Sequence, residues 1–366
     1  MPFDQGTVSF RVCMLPKELP DDALDRFAAH AAGSLDYVRD EPQFGWVSGR
    51  HLLETQIDEE TSVKAGYLHL ALRQAVRKVP GALLRAECRM AELAFLRESG
   101  SSTVNRKERK RIKEEVTERL LPKMPPQISG IPVVIDAQDN LAYVGAPSQK
   151  QFDTFLEHFC QAIGFEPIPM TPEVACTNTA SVEPEAIVPI NFSPELADSA
   201  AGGTLGQNFL TWLWFYQEET GGELPPTQLG TFGLLLEGPL LFVADGPGAL
   251  ESVIRKGMPT LSAEAKAALT VGKKLKRAKI VLAEHDGEQW SGTVDDDEFV
   301  FRSLKLPEGE ALDPIGSFEE RINSLFVFQK VFYALFQRFI NDFSNPANGK
   351  AFQDKAKRWV KERDSR

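Results

Sequence analysis

Between Leu325 and Phe336 almost every position is apolar, and the run continues to Phe339, Ile340 and Phe343. Only Gln329 and Lys330 interrupt its centre. At 3.6 residues per turn, such a run leaves no wide polar face. A helix formed from it must be buried on more than one side. Two arrangements meet that demand: a central core helix, or a helix whose second face packs on another subunit. The segment 318–343 is expected to be this helix, with Phe326, Phe328, Phe332 and Phe336 at the core or dimer contact. Ser317, with Glu320 three residues on, reads as its capping box. The chain has 366 residues, 42% hydrophobic and 25% charged, enough to surround it. That length allows two or three units at roughly 100–200 residues per domain.

The remaining elements follow from periodicity. Val8, Phe10, Val12 and Met14 alternate with polar residues, the pattern of a half-buried strand. Asp21 or Asp22 can cap a helix running through Leu24, Phe27, Ala28 and Ala31. Tyr67–Leu72 alternates as a second strand. Pro80 opens a long helix bearing Leu83, Leu84, Met90, Leu93 and Leu96, ending near Gly100. Asn105, with Glu108 three residues on, starts another helix, stopped by Pro122. Residues 131–136 and 140–144 form a hairpin, and Ser148 caps a helix closed by Gly164. Further on come an aromatic stretch (Phe209–Tyr216) and strands over Phe232–Leu236, Leu240–Ala244, Lys279–Ala283 and Glu298–Leu306. The tail from Lys350 to Arg366 is polar and basic and is expected to fray. Strand, hairpin and helix units recur without regular βαβ alternation, which predicts an α+β fold. Three regions are expected: an α+β region over 1–172 containing the basic helical segment 105–121, an acidic middle over 173–255, and an α+β region over 256–366.

Charge divides the chain in the same way. The formal net charge is -11, yet residues 64–123 carry fifteen Lys and Arg against seven acids. Residues 173–255 carry one base, Arg255, against eleven acids, and residues 256–279 return to seven bases against one acid. Arg106, Lys107, Arg109, Lys110, Arg111 and Lys113 crowd the start of a helix, where cations oppose the macrodipole. They do not serve local stability, and a nearby polyanion would remove the conflict; the plainer reading is a solvated helix face. Lys273, Lys274, Lys276, Arg277 and Lys279 form a second cluster before or within a strand. Alternation would place Lys273, Arg277 and Lys279 on one face. Without zinc-finger, helix-turn-helix or RNP signatures, two such clusters point to phosphate contact that ignores base sequence.

Catalytic signatures are missing: no Walker loop, GxGxxG, GxSxG or HExxH occurs. Asp295, Asp296, Asp297 and Glu298 could serve a two-metal nuclease, but four consecutive acids read first as a solvated loop. Cys13, Cys88, Cys160 and Cys176 form no CxxC and are expected as free thiols in a reducing compartment. His30, His51, His69, His158 and His285 show no ligand spacing. No cofactor or metal is expected. The N-terminus lacks a signal-peptide pattern and no apolar stretch reaches membrane-spanning length, which predicts a cytoplasmic protein without a membrane partner.

The run RKERKRIKEEVTERLLPKM, followed by IPVVIDAQDNLAYV and SQKQFDTFLEHFCQAIG, resembles the bacterial recombination-associated RdgC family. That family has a basic helical segment ending in LLPR, then a hairpin and an amphipathic helix. Phe44–Val47 and Leu261–Lys274 agree with it in patches. One departure stands out: the family's LLPR is followed closely by an aromatic, whereas here Lys123 precedes Met124, Pro125 and Pro126. The resemblance implies an α+β, ring-forming homodimer that encircles duplex DNA without sequence preference. It also implies nucleoid association and an indirect limit on RecA-promoted recombination. The rival expectations are a metal-dependent exonuclease and a protein–protein regulator that makes no DNA contact.

Overall fold

The computed structural model describes residues 2–200, 202–244, 250–285 and 287–363. The expected alternation at the N-terminus forms strand β1 (Val8–Met14), and both of its faces are buried. Val8, Phe10 and Val12 enter one hydrophobic core, and Cys13 enters another. β1 is also the seam of the molecule: Val8 and Phe10 pair with Leu304 and Phe301, while Arg11–Met14 pair with Leu141–Val144.

Around the seam's second half lie α1 (Ala23–Ala29), β2 (Gln43–Ser48), α2 (Glu59–Ser62), β3 (Val63–Lys64) and β4 (Tyr67–Val76). Asp22 occupies the N-cap of α1 without a capping bond, because its carboxylate pairs with Arg26 at 2.8 Å. The strand expected over Tyr67–Leu72 continues to Val76 and is buried on both faces.

Between β4 and its partner strand comes a helical hairpin, α3 (Gly81–Ser99) and α4 (Arg106–Leu120). Its core is its own: Ile112, Val116 and Leu120 pack with Leu83, Leu84, Cys88, Phe95 and Leu96. Met90 and Leu93, expected on the apolar face of α3, point outward instead at 66% and 41% exposure. The hairpin is therefore an arm set on the end of the sheet. After it come β5 (Gln127–Asp136) and β6 (Leu141–Val144), the expected hairpin. Then follow α5 (Gln149–Ile163), closed by Gly164 at φ 95°, β7 (Ile168–Pro169) and α6 (Pro172–Ala180).

The aromatic stretch becomes a helix, α7 (Leu205–Thr220), with Phe209 to Tyr216 wholly buried. The two strands expected over Phe232–Leu236 and Leu240–Ala244 are one, β8 (Phe232–Val243). It is followed by β9 (Glu251–Ile254), α8 (Ala263–Thr270), β10 (Lys274–Glu284), β11 (Gln289–Asp295), β12 (Val300–Lys305), α9 (Pro314–Phe343) and α10 (Pro346–Glu362). The apolar helix is capped by Asp313, which accepts from Ile315 and Gly316, not by Ser317. Glu320 turns back to accept from the amide of Ala311 at 3.1 Å. The tail does not fray over the described residues. Ala356 and Val360 are fully buried, and the Trp359 ring packs on Trp214 and Phe215 at 5.3 and 5.5 Å. Residues 364–366 lie outside the described residues.

The strands join in the order β2-β4-β5-β6-β1-β12-β11-β10-β8-β9, with β3 on β4 and β7 on β1. Around β5, β6 and β1, helices α1 and α5 build a core on one face, while α6 and α9 belong to the core on the other. Among the described residues, the β8–β12 half packs chiefly on the face that meets α7 and α9. Its other face carries Glu237, Arg277, Lys279, Thr293 and Arg302, with Leu235 and Val253 nearly half exposed.

Phe332 sits where the covering helices meet the sheet, with the rings of Phe209, Phe299 and Phe301 at 5.5, 5.0 and 5.0 Å. Phe332→Ala is expected to cost about 3–5 kcal/mol in urea unfolding. Phe326→Ala, at a half-buried ring under Lys330, should cost less than half as much.

Candidate nucleic-acid interface

Asn105 caps α4 by accepting from the amide of Glu108 at 2.8 Å, but Glu108 does not return the bond. Its carboxylate goes to Arg111 at 2.7 Å, so only half of the expected capping box forms. Ile112, Val116 and Leu120 turn inward every fourth residue, and that register sends all six cations of the cluster outward. Arg109 lies 3.7 Å from Glu92, Lys110 lies 3.6 Å from Glu114, and Arg111 also reaches Glu115 at 3.7 Å. Pairs this exposed contribute about 0–1 kcal/mol and are easily exchanged. Arg106, Lys107 and Lys113 have no ion-pair partner among the described residues. The cluster is an exposed positive surface on the arm, half of it without ion-pair partners among the described residues, at the helix end that disfavours cations.

The second cluster is divided among different tasks. Lys273 precedes β10 and donates to Ser252 Oγ at 2.8 Å. Lys274 is 5% exposed, and its ammonium is spent on Gly202 O and on Asn208 Oδ1 at 2.6 Å. It ties the approach to α7 onto the sheet and offers no surface charge. Lys276 pairs with Asp297 at 3.3 Å and Lys279 with Glu237 at 2.8 Å. Arg277 bonds Asp295. Arg277 and Lys279 do share a face, as alternation requires, and Lys273 stands apart from them. Within one chain the two clusters are not brought together: β5, at the foot of the arm, is five strand spacings from β10, or about 24 Å.

The acidic run leads from the end of β11 to β12 and is only half solvated: Asp295 and Asp296 are buried, while Asp297 and Glu298 are 52% and 33% exposed. Asp295 receives Arg277 and Arg302, Asp297 receives Lys276, and Glu298 receives Arg11. Among the described residues no three His, Cys, Asp or Glu side chains could jointly hold a metal ion. Asp296 is fully buried and accepts from Thr204 Oγ1 at 3.1 Å, at the N-cap of α7. Gly206 admits this approach, since a Cβ there would meet the Asp296 carbonyl oxygen at 2.1 Å. Burial, joined by the neighbouring Asp297, pushes the Asp296 carboxyl up to about 7, while bonds from Thr204 and Gln207 pull the other way.

His69 and the aromatics of α9 are part of the core or its margin. His69 is buried, stacks on Phe318 at 4.9 Å, and is pushed down to about 4 by burial, only partly opposed by Asp4. Phe328, Phe332 and Phe336 lie in the chain's own core, and Phe326 is half-buried at its margin. Arg11 and Arg302 were missed from sequence. Arg11 is 3% exposed, bonds Ala146 O at 3.1 Å and lies over the Phe152 ring at 4.6 Å. Both sit singly within alternating strands, with no neighbouring cation to draw attention.

Residues 12–181, from β1 to the end of α6, match the family described as "Putative exonuclease, RdgC". The similarity to the RdgC family thus extends over somewhat less than half of the chain. The recombination-associated protein RdgC of Pseudoalteromonas atlantica is 30% identical over 154 residues, 42% of this chain. The chain spans about half the length of that relative, 48%. The RdgC region contains the arm and the whole α4 cluster; the β10 cluster lies beyond it. Among the described residues, no helix is long and apolar enough to cross a membrane.

Because the folded protein holds Asp296 neutral more readily than the unfolded chain does, its ionisation opposes folding. Stability from this group is complete below about pH 4 and declines as pH rises toward 7. Asp296→Asn should remove that decline, so the variant gains on the wild type between pH 4.5 and 8 in urea unfolding.

Proposed function

We propose that this protein binds duplex DNA through its phosphate backbone, without sequence preference. The carrying observation is the α4 cluster: six exposed cations at a helix N-terminus, on an arm with its own core, inside the RdgC region. Fixed in that position, they oppose the helix macrodipole, and phosphate oxygens would relieve the repulsion. The acidic body is no obstacle, because binding follows local charge and the remaining acids keep other faces away from DNA. The protein would act as a homodimer that closes around the duplex, in the nucleoid. It would limit RecA-promoted exchange indirectly, by occupying the substrate. Support for this part comes from the recombination-associated relative and the family resemblance.

The nuclease reading gains nothing from the acidic run, whose carboxylates are engaged by Arg11, Lys276, Arg277, Arg302 and Thr204. Magnesium-dependent loss of duplex that disappears in Asp→Asn variants at 295–297 would reinstate it.

Wild-type binding should weaken linearly in log–log plots against salt, with a slope of about -0.9 per phosphate neutralised. Charge reversal at Arg109, Lys110 and Arg111 should shrink that slope by roughly 2–3 units, equally on unrelated sequences. Salt-independent binding, or no binding at low salt, would refute the proposal. The second result would favour a regulator that works through protein contacts. Retention on closed-circular DNA after a salt challenge that strips linear DNA tests encirclement.

A further inference from the structure

The open face of the β8–β12 half holds a second arrangement suited to phosphate, resting on the duplex-binding reading above. Cross-strand register places Arg277 opposite Asp295, Lys279 opposite both Glu237 and Thr293, and Thr293 opposite Arg302. All six therefore stand on the face turned away from α7 and α9. Asp295 is 8% exposed and spends one carboxylate oxygen on Nε of Arg277. Its other oxygen accepts from Nε of Arg302 at 2.5 Å. Arg302 Nη2 donates to Pro147 O at 2.9 Å. Both terminal nitrogens of Arg277, and Nη1 of Arg302, have no partner among the described residues. The two side chains remain 38% and 34% exposed.

We propose that Arg277 and Arg302 form a two-guanidinium clamp for backbone phosphodiester oxygens, preset by Asp295. One carboxylate between two guanidinium groups leaves a net positive charge. Bonding through Nε restrains both side chains while keeping the outer edges of the planar forks available. Those edges match the geometry of phosphate oxygens, and restraint beforehand lowers the ordering cost of binding. Lys279 and Lys276 stand beside the clamp, but each is matched by its own acid, Glu237 and Asp297. The clamp differs because two cations share one carboxylate. A purely structural network would fasten β10, β11 and β12 equally well, and the test separates these roles.

Arg277→Gln and Arg302→Gln are measured for binding to plain duplex DNA across a salt series, with thermal melting of each variant alongside. Each is expected to reduce the salt slope by about 0.9 and weaken binding several-fold near 0.1 M salt. An unchanged slope in variants that still melt cooperatively overturns the clamp. Asp295→Asn raises the net positive charge but removes the shared anchor, so a clamp preset by Asp295 should bind duplex more weakly, whereas charge alone would tighten binding. If the arginine variants fail to fold, this result decides the question, and unchanged or tighter binding by a folded Asp295→Asn protein rejects the clamp. Failure of the parent reading looks different, since wild-type protein would then show no salt-dependent binding. Failure of the clamp alone leaves wild-type binding and the loss on α4 charge reversal intact.

Discussion

Helix α9 must be kept from water on most of its circumference, and the rest of the molecule is arranged to meet that demand. Thirteen of its thirty residues are buried, including Phe318, Phe328, Phe332, Phe336, Phe339 and Phe343. One sheet face can cover only one stripe of a helix, so a second cover is required. α7 provides it: the Phe209 ring meets Phe332, Phe336 and Phe339 at 5.5, 5.1 and 5.6 Å. β1 and β12 close the floor beneath, through the Phe10–Phe301 stack at 5.1 Å. The same constraint accounts for α10. Its Trp359, and Arg363 just beyond its end, cover Trp214 on the outer side of α7, and Arg363 pairs with Glu218 at 2.5 Å.

This one-sided packing shapes the charged surfaces. Because α7 and α9 use only one face of β8–β12, the other remains open for Arg277, Lys279 and Arg302. Around β5 and β6 both faces are covered, so the basic residues of the N-terminal half find room on the arm. The arm can carry α4 because its small core needs only one side of each helix. Where cations are buried they become structural. Arg11 is enclosed by Phe152, Ala146 and Glu298, and Lys274 by Asn208 and Gly202.

Local signals were legible where a single element determines its own pattern. Asn105, Ser148 and Gly164 marked helix ends as backbone chemistry requires, and Ile112, Val116 and Leu120 showed the inner face of α4. Signals failed where distant partners decide. Met90 and Leu93 have the right spacing for a core face, but the arm offers them nothing to pack against. The tail from Lys350 read as a fraying segment because its cations outnumber its apolar residues. Four of those, Phe352, Ala356, Trp359 and Val360, suffice when α7 supplies a site to receive them. Residues 295–298 read as a solvated loop; Asp297 and Glu298 keep that exposure, but nothing in the sequence announces that Arg11 and Lys276 reach them or that Asp295 and Asp296 are buried.

The sequence by itself determined the α+β class, the buried apolar helix and the exposure of the α4 cations. Each follows from periodicity, capping and charge within one continuous segment. Only the tertiary structure decided that the Lys273–Lys279 cluster is divided between a buried anchor and an open sheet face. It alone converted the acidic run into a set of partners for arginine and lysine. The reason is that charge has no fixed meaning along a chain. Its role depends on which groups the fold brings within bonding distance, and on whether water still reaches them.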